Sequence, residues 1–269
     1  MKIVVFDLDE TLGYFSEFGI FWDSLSFYLY KYLNKELNQN DFNYILDLYP
    51  EFLRPNIINI LNYLKSKKKS NSCQKIMIYS NNQGSRKWMN QLVSYFETKL
   101  DGYKLFDQII SAFKINGKQI EFCRTTYNKT YNDFIRCTKL PPRAEICYLD
   151  DTFYPDMVND NIYYINIKPY IYILPFNEMY KRILENNSLL INKEKSTNEF
   201  MSFMNEEIKK YNFQVIQKSK EDYDIDKILS KKILFHLEEF FIPLTMKNKN
   251  KTKKNKHVKN KNKTMKRKP

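Results

Sequence analysis

The feature that most constrains the fold is a run of four apolar residues, Ile3 to Phe6, directly before a cluster of acids. Such a short run, rich in β-branched and aromatic residues, is typical of a strand buried on both faces. Two acids follow it, Asp7 and Asp9, and the alternation of side chains along an extended chain predicts that they point the same way. Two carboxylates that share one site repel each other unless one is protonated or a cation lies between them. Because Mg²⁺ prefers oxygen ligands, it is the expected occupant.

The residues from Phe6 to Leu12, Phe-Asp-Leu-Asp-Glu-Thr-Leu, resemble motif I of the haloacid dehalogenase (HAD) superfamily. Asp-x-Asp-x-Thr also arises by chance, but here it directly follows the pattern of a buried strand. The resemblance implies an α/β, Rossmann-like fold with a central, mainly parallel sheet flanked by helices. It also implies that Asp7 is a catalytic nucleophile that forms an aspartyl-phosphate, and that Asp9 is the general acid and base.

A second strand is predicted over residues 75–79, and it stops at Ser80-Asn81-Asn82. Hydroxyl and amide groups at such a point, followed by free N–H groups at the start of a helix, suit the oxygens of a phosphate. The same three residues are also typical of an ordinary turn and helix cap. Ser80 matches the Ser/Thr of HAD motif II, and Ser80 and Asn81 are therefore the predicted phosphate-binding residues. Arg54-Pro55 resembles the step ahead of motif II in the CTD-phosphatase branch of the superfamily, the NLI-interacting-factor-like enzymes.

Lys129 is the predicted lysine of motif III. The stretch Tyr127-Asn128-Lys129, with Phe134-Ile135 after it, resembles the Tyr-Val-Lys-Asp-Leu pattern of the CTD-phosphatase branch. The resemblance implies that Lys129 binds the phosphate. Because lysines are abundant in this chain and most lysines are solvated, Lys114 and Lys139 remain alternatives.

A further apolar run, Ala144 to Leu149, predicts a strand that ends in the paired acids Asp150 and Asp151. Paired acids after a strand are either surface charges or metal ligands, and the second interpretation is favoured by Asp7 and Asp9 at the same sheet edge. They match HAD motif IV. The resulting metal set is Asp7, Asp9, Asp150 and Asp151, with Mg²⁺ as the cofactor. Strands are also predicted over 106–113 and 161–167.

These motifs cover residues 1–175, which we predict to form a HAD-like phosphatase core. Within the core, residues 14–53 are predicted to form a small helical insert or partial lid. Residues 176–245 are predicted to be a helical extension, and residues 246–269 a disordered basic tail. Of the net charge of +13, +12 lies in this tail, since residues 247–269 hold twelve Lys or Arg and no acid. The tail is a candidate for non-specific contact with nucleic acid, or simply a solvated or nuclear-targeting segment.

Composition excludes several other classes of site. With only five glycines, the chain has no Gly-rich phosphate loop, and its two histidines argue against a His-dependent catalytic triad or metal site. Its four cysteines form no Cys-x-x-Cys pair and are predicted to be reduced thiols of an intracellular protein, cytoplasmic or nuclear. No apolar stretch approaches the roughly 20 residues needed to cross a bilayer, so no membrane association is predicted.

The expected function is a Mg²⁺-dependent phosphatase with a small cap or none. Between Ser80 and Lys129 there is no room for a large cap, and only about 40 residues separate Gly13 from Arg54. Within the superfamily, such open sites admit proteins or nucleic-acid ends, and of these two a phosphoprotein substrate is favoured. The alternatives are a small-molecule or polynucleotide-end phosphatase on the same fold, or a non-catalytic HAD-like protein that binds nucleic acid.

Overall fold

The computed structural model describes residues 1–186, 197–213 and 218–242, and shows an α/β protein built on a five-stranded parallel sheet. The strands are β1 Lys2–Phe6, β2 Lys75–Tyr79, β3 Gln108–Ile110, β4 Lys114–Ile115, β5 Lys118–Gln119, β6 Glu145–Asp150 and β7 Ile162–Asn166. The helices are α1 Ser16–Leu33, α2 Gln39–Asp47, α3 Ile57–Lys69, α4 Arg86–Lys99, α5 Tyr131–Thr138, α6 Phe176–Glu185, α7 Thr197–Lys209 and α8 Lys220–Phe241. Short 3-10 helices lie at Pro50–Phe52 and Pro155–Met157.

The first strand lies at the centre of the sheet, whose order is β3-β2-β1-β6-β7. It pairs in parallel with β2 on one side and β6 on the other, with Phe6 opposite Ile78 and Leu149. This confirms the predicted parallel sheet flanked by helices, which is compatible with a Rossmann-like fold. Because all five strands run the same way, their carboxyl ends meet along one edge.

Both faces of the sheet are buried, as the unbroken apolar run of β1 predicts. Val4 and Phe6 pack into a large core with the helices of one layer, whereas Ile3 and Val5 pack into a smaller core that includes Phe134 of α5. The predicted third strand is shorter than expected, because only Gln108–Ile110 pairs with β2, at the edge of the sheet. The chain then enters a separate two-stranded antiparallel hairpin, β4-β5.

Residues 14–53 contain α1 and α2, and their apolar side chains point into the larger core. Phe18 on α1 packs edge-on against Phe42 on α2, with 5.6 Å between the ring centroids, and both side chains are fully buried. The ring of Trp22 also packs against Phe42, with 4.9 Å between the ring centroids. The burial of these rings holds both helices against the core layer.

The range 176–245 contains α6, α7 and α8, which also contribute side chains to the larger core. Phe203 of α7 packs against Tyr28 of α1, with ring centroids 5.3 Å apart, and α8 lies beside α3 and β7. None of the helices that the structure describes is long and apolar enough to span a membrane. The predicted basic tail, 246–269, lies outside the described residues.

Glu17, in the first turn of α1, is a carboxyl group with 1% exposure in the larger core. It accepts a hydrogen bond from the backbone N–H of Leu174 at 3.1 Å. Burial raises the pKa of Glu17 from 4.5 to about 7, because one N–H donor only partly replaces the lost hydration of the charged form. The folded protein therefore holds this proton over a pH range in which the unfolded chain has released it.

The Glu17→Gln variant should consequently be more stable than the wild type at pH 8, by about 3 kcal/mol, and nearly equal to it below pH 4.5. The stabilising contribution of the Glu17 proton is complete below the unfolded pKa and disappears as the pH rises through about 7. Urea unfolding at pH 4.5 and pH 8 measures the effect. The exposed Glu36→Gln variant is the matched control and should show no such pH dependence. If the free energy of unfolding of Glu17→Gln differed from that of the wild type by the same amount at both pH values, this account would be contradicted.

Candidate functional site

The carboxyl ends of three adjacent strands form one polar cavity of about 360 Å³. Asp7 follows β1 and donates its backbone N–H to Leu149 at 2.8 Å, while Ser80 follows β2 and donates its N–H to Ile110 at 2.9 Å. The cavity is lined by Asp7, Asp9, Glu10, Ser16, Ser80, Asn81, Asn82, Gln83, Lys129, Asp150, Asp151, Thr152 and Tyr154. All seven site residues predicted from the sequence are among them.

Three carboxylates form a group that could hold a metal ion. Asp7, Asp150 and Asp151 each offer one oxygen, and these oxygens all lie within 4.8 Å of one another. Neighbouring groups fix two of the three: Oδ1 of Asp150 accepts the N–H of Thr152 at 2.9 Å, and Oδ1 of Asp151 accepts the hydroxyl of Thr11 at 3.0 Å. A cluster of carboxylate oxygens is the donor set of a hard divalent cation.

Asp9 lies outside this group of three, although it was predicted as a fourth metal ligand. Its Oδ2 accepts a hydrogen bond from the amide of Asn82 at 2.5 Å. The two acids contact different partners, because Asp7 pairs with Lys129 whereas Asp9 pairs with Asn82. Asp9 therefore faces the Ser80-Asn81-Asn82 turn across the cavity. Asn82, which orients it, was not predicted as a site residue.

Lys129 is the lysine that enters the site. Its Nζ lies 2.5 Å from Oδ1 of Asp7 and 2.7 Å from Oδ2 of Asp150, and the side chain is 2% exposed. The two alternatives lie elsewhere, since Lys114 belongs to the β4-β5 hairpin and Lys139 caps the end of α5. Burial by itself lowers the pKa of Lys129, but attraction to the two carboxylates outweighs burial and raises it, so the group is an ammonium ion.

The negative charge of the site exceeds what Lys129 can balance. Burial raises the pKa of Asp7 to about 7 even though Lys129 acts in the opposite direction, and burial also raises the pKa values of Asp9 and Asp151. The carboxylates of Asp7, Asp9, Asp150 and Asp151 thus share one ammonium ion, and their burial limits how far water screens their repulsion. A divalent cation on Asp7, Asp150 and Asp151 would supply the missing positive charge, so the residues present fit such an ion.

Arg124 positions the segment that carries Lys129, and sequence reasoning missed it. Its buried guanidinium donates through NH1 to the backbone carbonyls of Ser80 and Ser111, at 3.2 and 2.9 Å. Through NH2 it donates to the carbonyls of Tyr127 and Asn128, at 3.0 and 3.2 Å. One side chain therefore ties the Lys129 loop to the ends of β2 and β3. Nothing in the sequence distinguishes this arginine from the other basic residues.

The loop after Asp9 is closely packed and is held by Arg54. The guanidinium donates to the carbonyls of Thr11 at 2.6 Å and Glu10 at 2.5 Å. Gly13 lies where the chain passes the 3-10 helix, and a Cβ there would stand only 2.4 Å from the carbonyl oxygen of Phe52. A side chain at position 13 would therefore displace the loop.

The prediction that all four cysteines are reduced is wrong for two of them. Cys123 and Cys137 form a disulfide, with 5.0 Å between their Cα atoms, whereas Cys73 and Cys147 are free and buried. Cys137 lies in the last turn of α5, which folds back beside the segment that begins at Cys123. A separation of 14 residues carries no signal of this proximity in the sequence. The disulfide encloses both Arg124 and Lys129.

No family model matches the chain, and no curated protein or solved structure is detectably similar to it. The interpretation of the site therefore depends on its own geometry and chemistry.

Replacing both disulfide cysteines in a Cys123→Ser/Cys137→Ser variant should lower the free energy of unfolding by about 3 kcal/mol, because the unfolded chain regains the entropy of a closed loop of this length. Urea unfolding of the variant and of the oxidised wild type measures the difference. Adding a thiol reductant should destabilise the wild type by a similar amount and leave the variant unchanged. A variant as stable as the oxidised wild type would contradict the stabilising role of the disulfide.

Proposed function

We propose that this protein is a Mg²⁺-dependent phosphomonoester hydrolase of the HAD type. The observation that carries the proposal is the convergence of Asp7, Asp150 and Asp151 into one group of oxygens, with Nζ of Lys129 between Asp7 and Asp150. This arrangement supports the roles that the four motif resemblances imply. An anionic substrate needs both a nucleophile and positive charge at one point, and this edge of the sheet can offer both.

Asp7, Asp150 and Asp151 would hold the magnesium ion. When bound, the ion supplies positive charge that offsets the repulsion between the Asp7 carboxylate and an incoming phosphate. Lys129 neutralises charge on the phosphoryl oxygens, which stay negative through the transition state. Ser80 and Asn81 line the same cavity and offer a hydroxyl and an amide as further donors to these oxygens.

In the first half of the proposed reaction, a carboxylate oxygen of Asp7 attacks phosphorus while the ester P–O bond breaks. Asp9 gives its proton to the leaving oxygen, and the product is an aspartyl-phosphate on Asp7 with a free alcohol. In the second half, Asp9 takes a proton from water as the water oxygen attacks phosphorus, and the bond to Asp7 breaks to release inorganic phosphate. Burial raises the pKa of Asp9 above its ordinary value, which favours the protonated form that a general acid needs.

The proposed substrate is a phosphorylated protein segment. Among residues 14–53, only Ser16 lines the cavity, whereas Phe18, Trp22 and Phe42 are buried in the core. The helices that we expected as a partial lid therefore leave the cavity open. A phosphorylated side chain on a larger molecule can reach Asp7 through such an opening.

The wild type should hydrolyse p-nitrophenyl phosphate only when Mg²⁺ is present, and the Asp7→Asn variant should lose about three orders of magnitude in kcat, because it lacks the nucleophile. Steady-state kinetics with Mg²⁺ and with a chelator test both expectations. Asp160→Asn makes the same chemical change at an exposed position before β7 and should retain wild-type activity. Turnover that survives in Asp7→Asn, or that is independent of divalent metal, would refute the proposed mechanism.

The substrate class has its own test. A serine phosphopeptide should have a kcat/KM about 100-fold higher than that of glycerol phosphate, because only the peptide contacts the rim of an open cavity. A 5′-phosphorylated oligonucleotide of similar length serves as the comparison. A preference for glycerol phosphate or for the oligonucleotide would reject the phosphoprotein assignment while leaving the hydrolase assignment in place.

A further inference from the structure

Helix α8 brings a buried carboxylate into the protein interior. Asp226 lies in the second turn of α8 with no exposed surface, and its Oδ2 is paired with Nζ of Lys218. Among residues 1–186, 197–213 and 218–242, Oδ1 of Asp226 has no hydrogen-bond partner. The same holds for Oγ of Ser230, which lies one turn further along the helix and is also fully buried. A buried carboxylate with an unused oxygen is costly unless another positive group shares its charge.

A second buried charge lies nearby, on Arg54. Its guanidinium is 1% exposed, and its three hydrogen bonds within the described residues all go to backbone carbonyls, those of Glu10, Thr11 and Lys168. Its NH1 nitrogen has no hydrogen-bond partner in the part of the chain that the structure describes. Carbonyl oxygens satisfy donors but carry no net charge, so Arg54 still needs a carboxylate to balance it.

The ring of Tyr170 lies close both to Arg54 and to Lys218, the lysine that is paired with Asp226. The Cζ atom of Arg54 lies 5.5 Å from the centroid of the Tyr170 ring, and Nζ of Lys218 lies 5.5 Å from the same centroid. Two cations that share one ring repel each other, and the Asp226 carboxylate attracts both. Burial lowers the pKa of Arg54 to about 10, and attraction to Asp226 is the strongest interaction that opposes this shift.

Arg54 in turn holds a strained segment of the site. The Glu10 carbonyl accepts both NH2 of Arg54 at 2.5 Å and the backbone N–H of Tyr170 at 2.9 Å. Glu10 has a φ of 56°, which is unfavourable for a residue with a side chain and persists only where its surroundings enforce it. The adjacent residues are Asp9 and Thr11, and the Thr11 hydroxyl donates to Asp151. A displacement of this turn therefore moves both Asp9 and a contact to the metal group.

We propose that Asp226 is a positioning residue of the site: its carboxylate balances the charge of Arg54 and so holds the turn formed by residues 10–12. Helix α8 is then part of the support of the site, although no residue of α8 lines the cavity. The kinetic consequence of this role rests on the proposed hydrolase function, whereas the structural consequence does not.

The test compares two full-length variants, Lys218→Gln and Lys218→Gln/Asp226→Asn. The single variant keeps the carboxylate for Arg54, and the double variant removes it without leaving a buried, unpaired lysine. Hydrogen exchange, read by mass spectrometry on peptides that cover residues 8–14, reports on the amides of Glu10 and Leu12, which donate to the carbonyls of Gly13 and Leu8. We expect exchange at the wild-type rate in the single variant and about tenfold faster exchange in the double variant, which corresponds to about 1.4 kcal/mol.

Peptides from β1 and β6 are the internal control and should exchange at the wild-type rate in both variants. Equal acceleration in the strands and in the turn would show that Asp226 merely stabilises the fold, and this would overturn the proposal. An unchanged turn in the double variant would overturn it as well. Ser230→Ala, which removes the neighbouring buried hydroxyl but no charge, should leave the turn unaffected.

Two further measurements complete the test. With p-nitrophenyl phosphate as substrate, the double variant should show a roughly tenfold lower kcat and little change in KM. An inactive wild type would refute the proposed hydrolase function, but the hydrogen-exchange result would still stand. If the double variant does not fold, hydrogen exchange of the wild type in low concentrations of urea provides the test. The backbone amides around Asp226 and those of the turn should then have the same free energy of opening. Distinct opening free energies would reject the coupling.

Discussion

The contact of Lys129 with Asp7 and Asp150 is the interaction on which the arrangement of the site depends. The parallel pairing of β1 with β6 forces the two carboxylates to the same edge of the sheet, where water is largely excluded. Their repulsion would separate the strand ends if nothing opposed it, and the buried ammonium ion lies within 2.7 Å of both. Even so, burial, together with repulsion from Asp150 and Asp9, raises the pKa of Asp7 to about 7, so Lys129 only partly offsets the cost of a carboxylate at this position. Such a site is suited to a divalent cation and to groups that exchange protons near neutral pH.

A charge cluster of this kind needs rigid loops, and two buried arginines provide them. Arg124 ties the Lys129 loop to the ends of β2 and β3, and Arg54 ties the Glu10 turn to the segment after β7. Both donate to backbone carbonyls rather than to carboxylates. A guanidinium suits this role because it has five donors in a fixed plane and remains charged when buried.

The C-terminal helices belong to the same core as the sheet. Phe200 and Phe203 of α7 contact Tyr28 of α1, with ring centroids 4.9 and 5.3 Å apart. Because α1 directly follows the loop that bears Asp9, the aromatic contacts of α7 and the buried carboxylate of α8 both act on elements next to the site. The predicted division into a core and an extension therefore describes the order of the chain better than it describes the packing.

By itself, the sequence determined the central strands β1 and β6 and the acids that end them, because an apolar run followed by carboxylates is a local pattern with a local cause. It also led to Ser80 and Lys129 through their resemblance to known motifs. The choice of Lys129 over Lys114 and Lys139 was decided by tertiary structure, since only its segment passes over the strand ends. The same is true of Asp9, whose carboxylate contacts Asn82 from the neighbouring strand end.

The disulfide and the two arginines were beyond sequence reasoning for a related reason. Cys123 contacts Cys137 only because α5 folds back towards it. The role of Arg124 becomes visible only in the folded protein, where its guanidinium donates to backbone carbonyls of other segments. A local sequence pattern indicates how a residue contributes to the secondary structure of its own segment. Contacts between distant segments depend on packing, and only the folded structure shows which buried charges and thiols lie side by side.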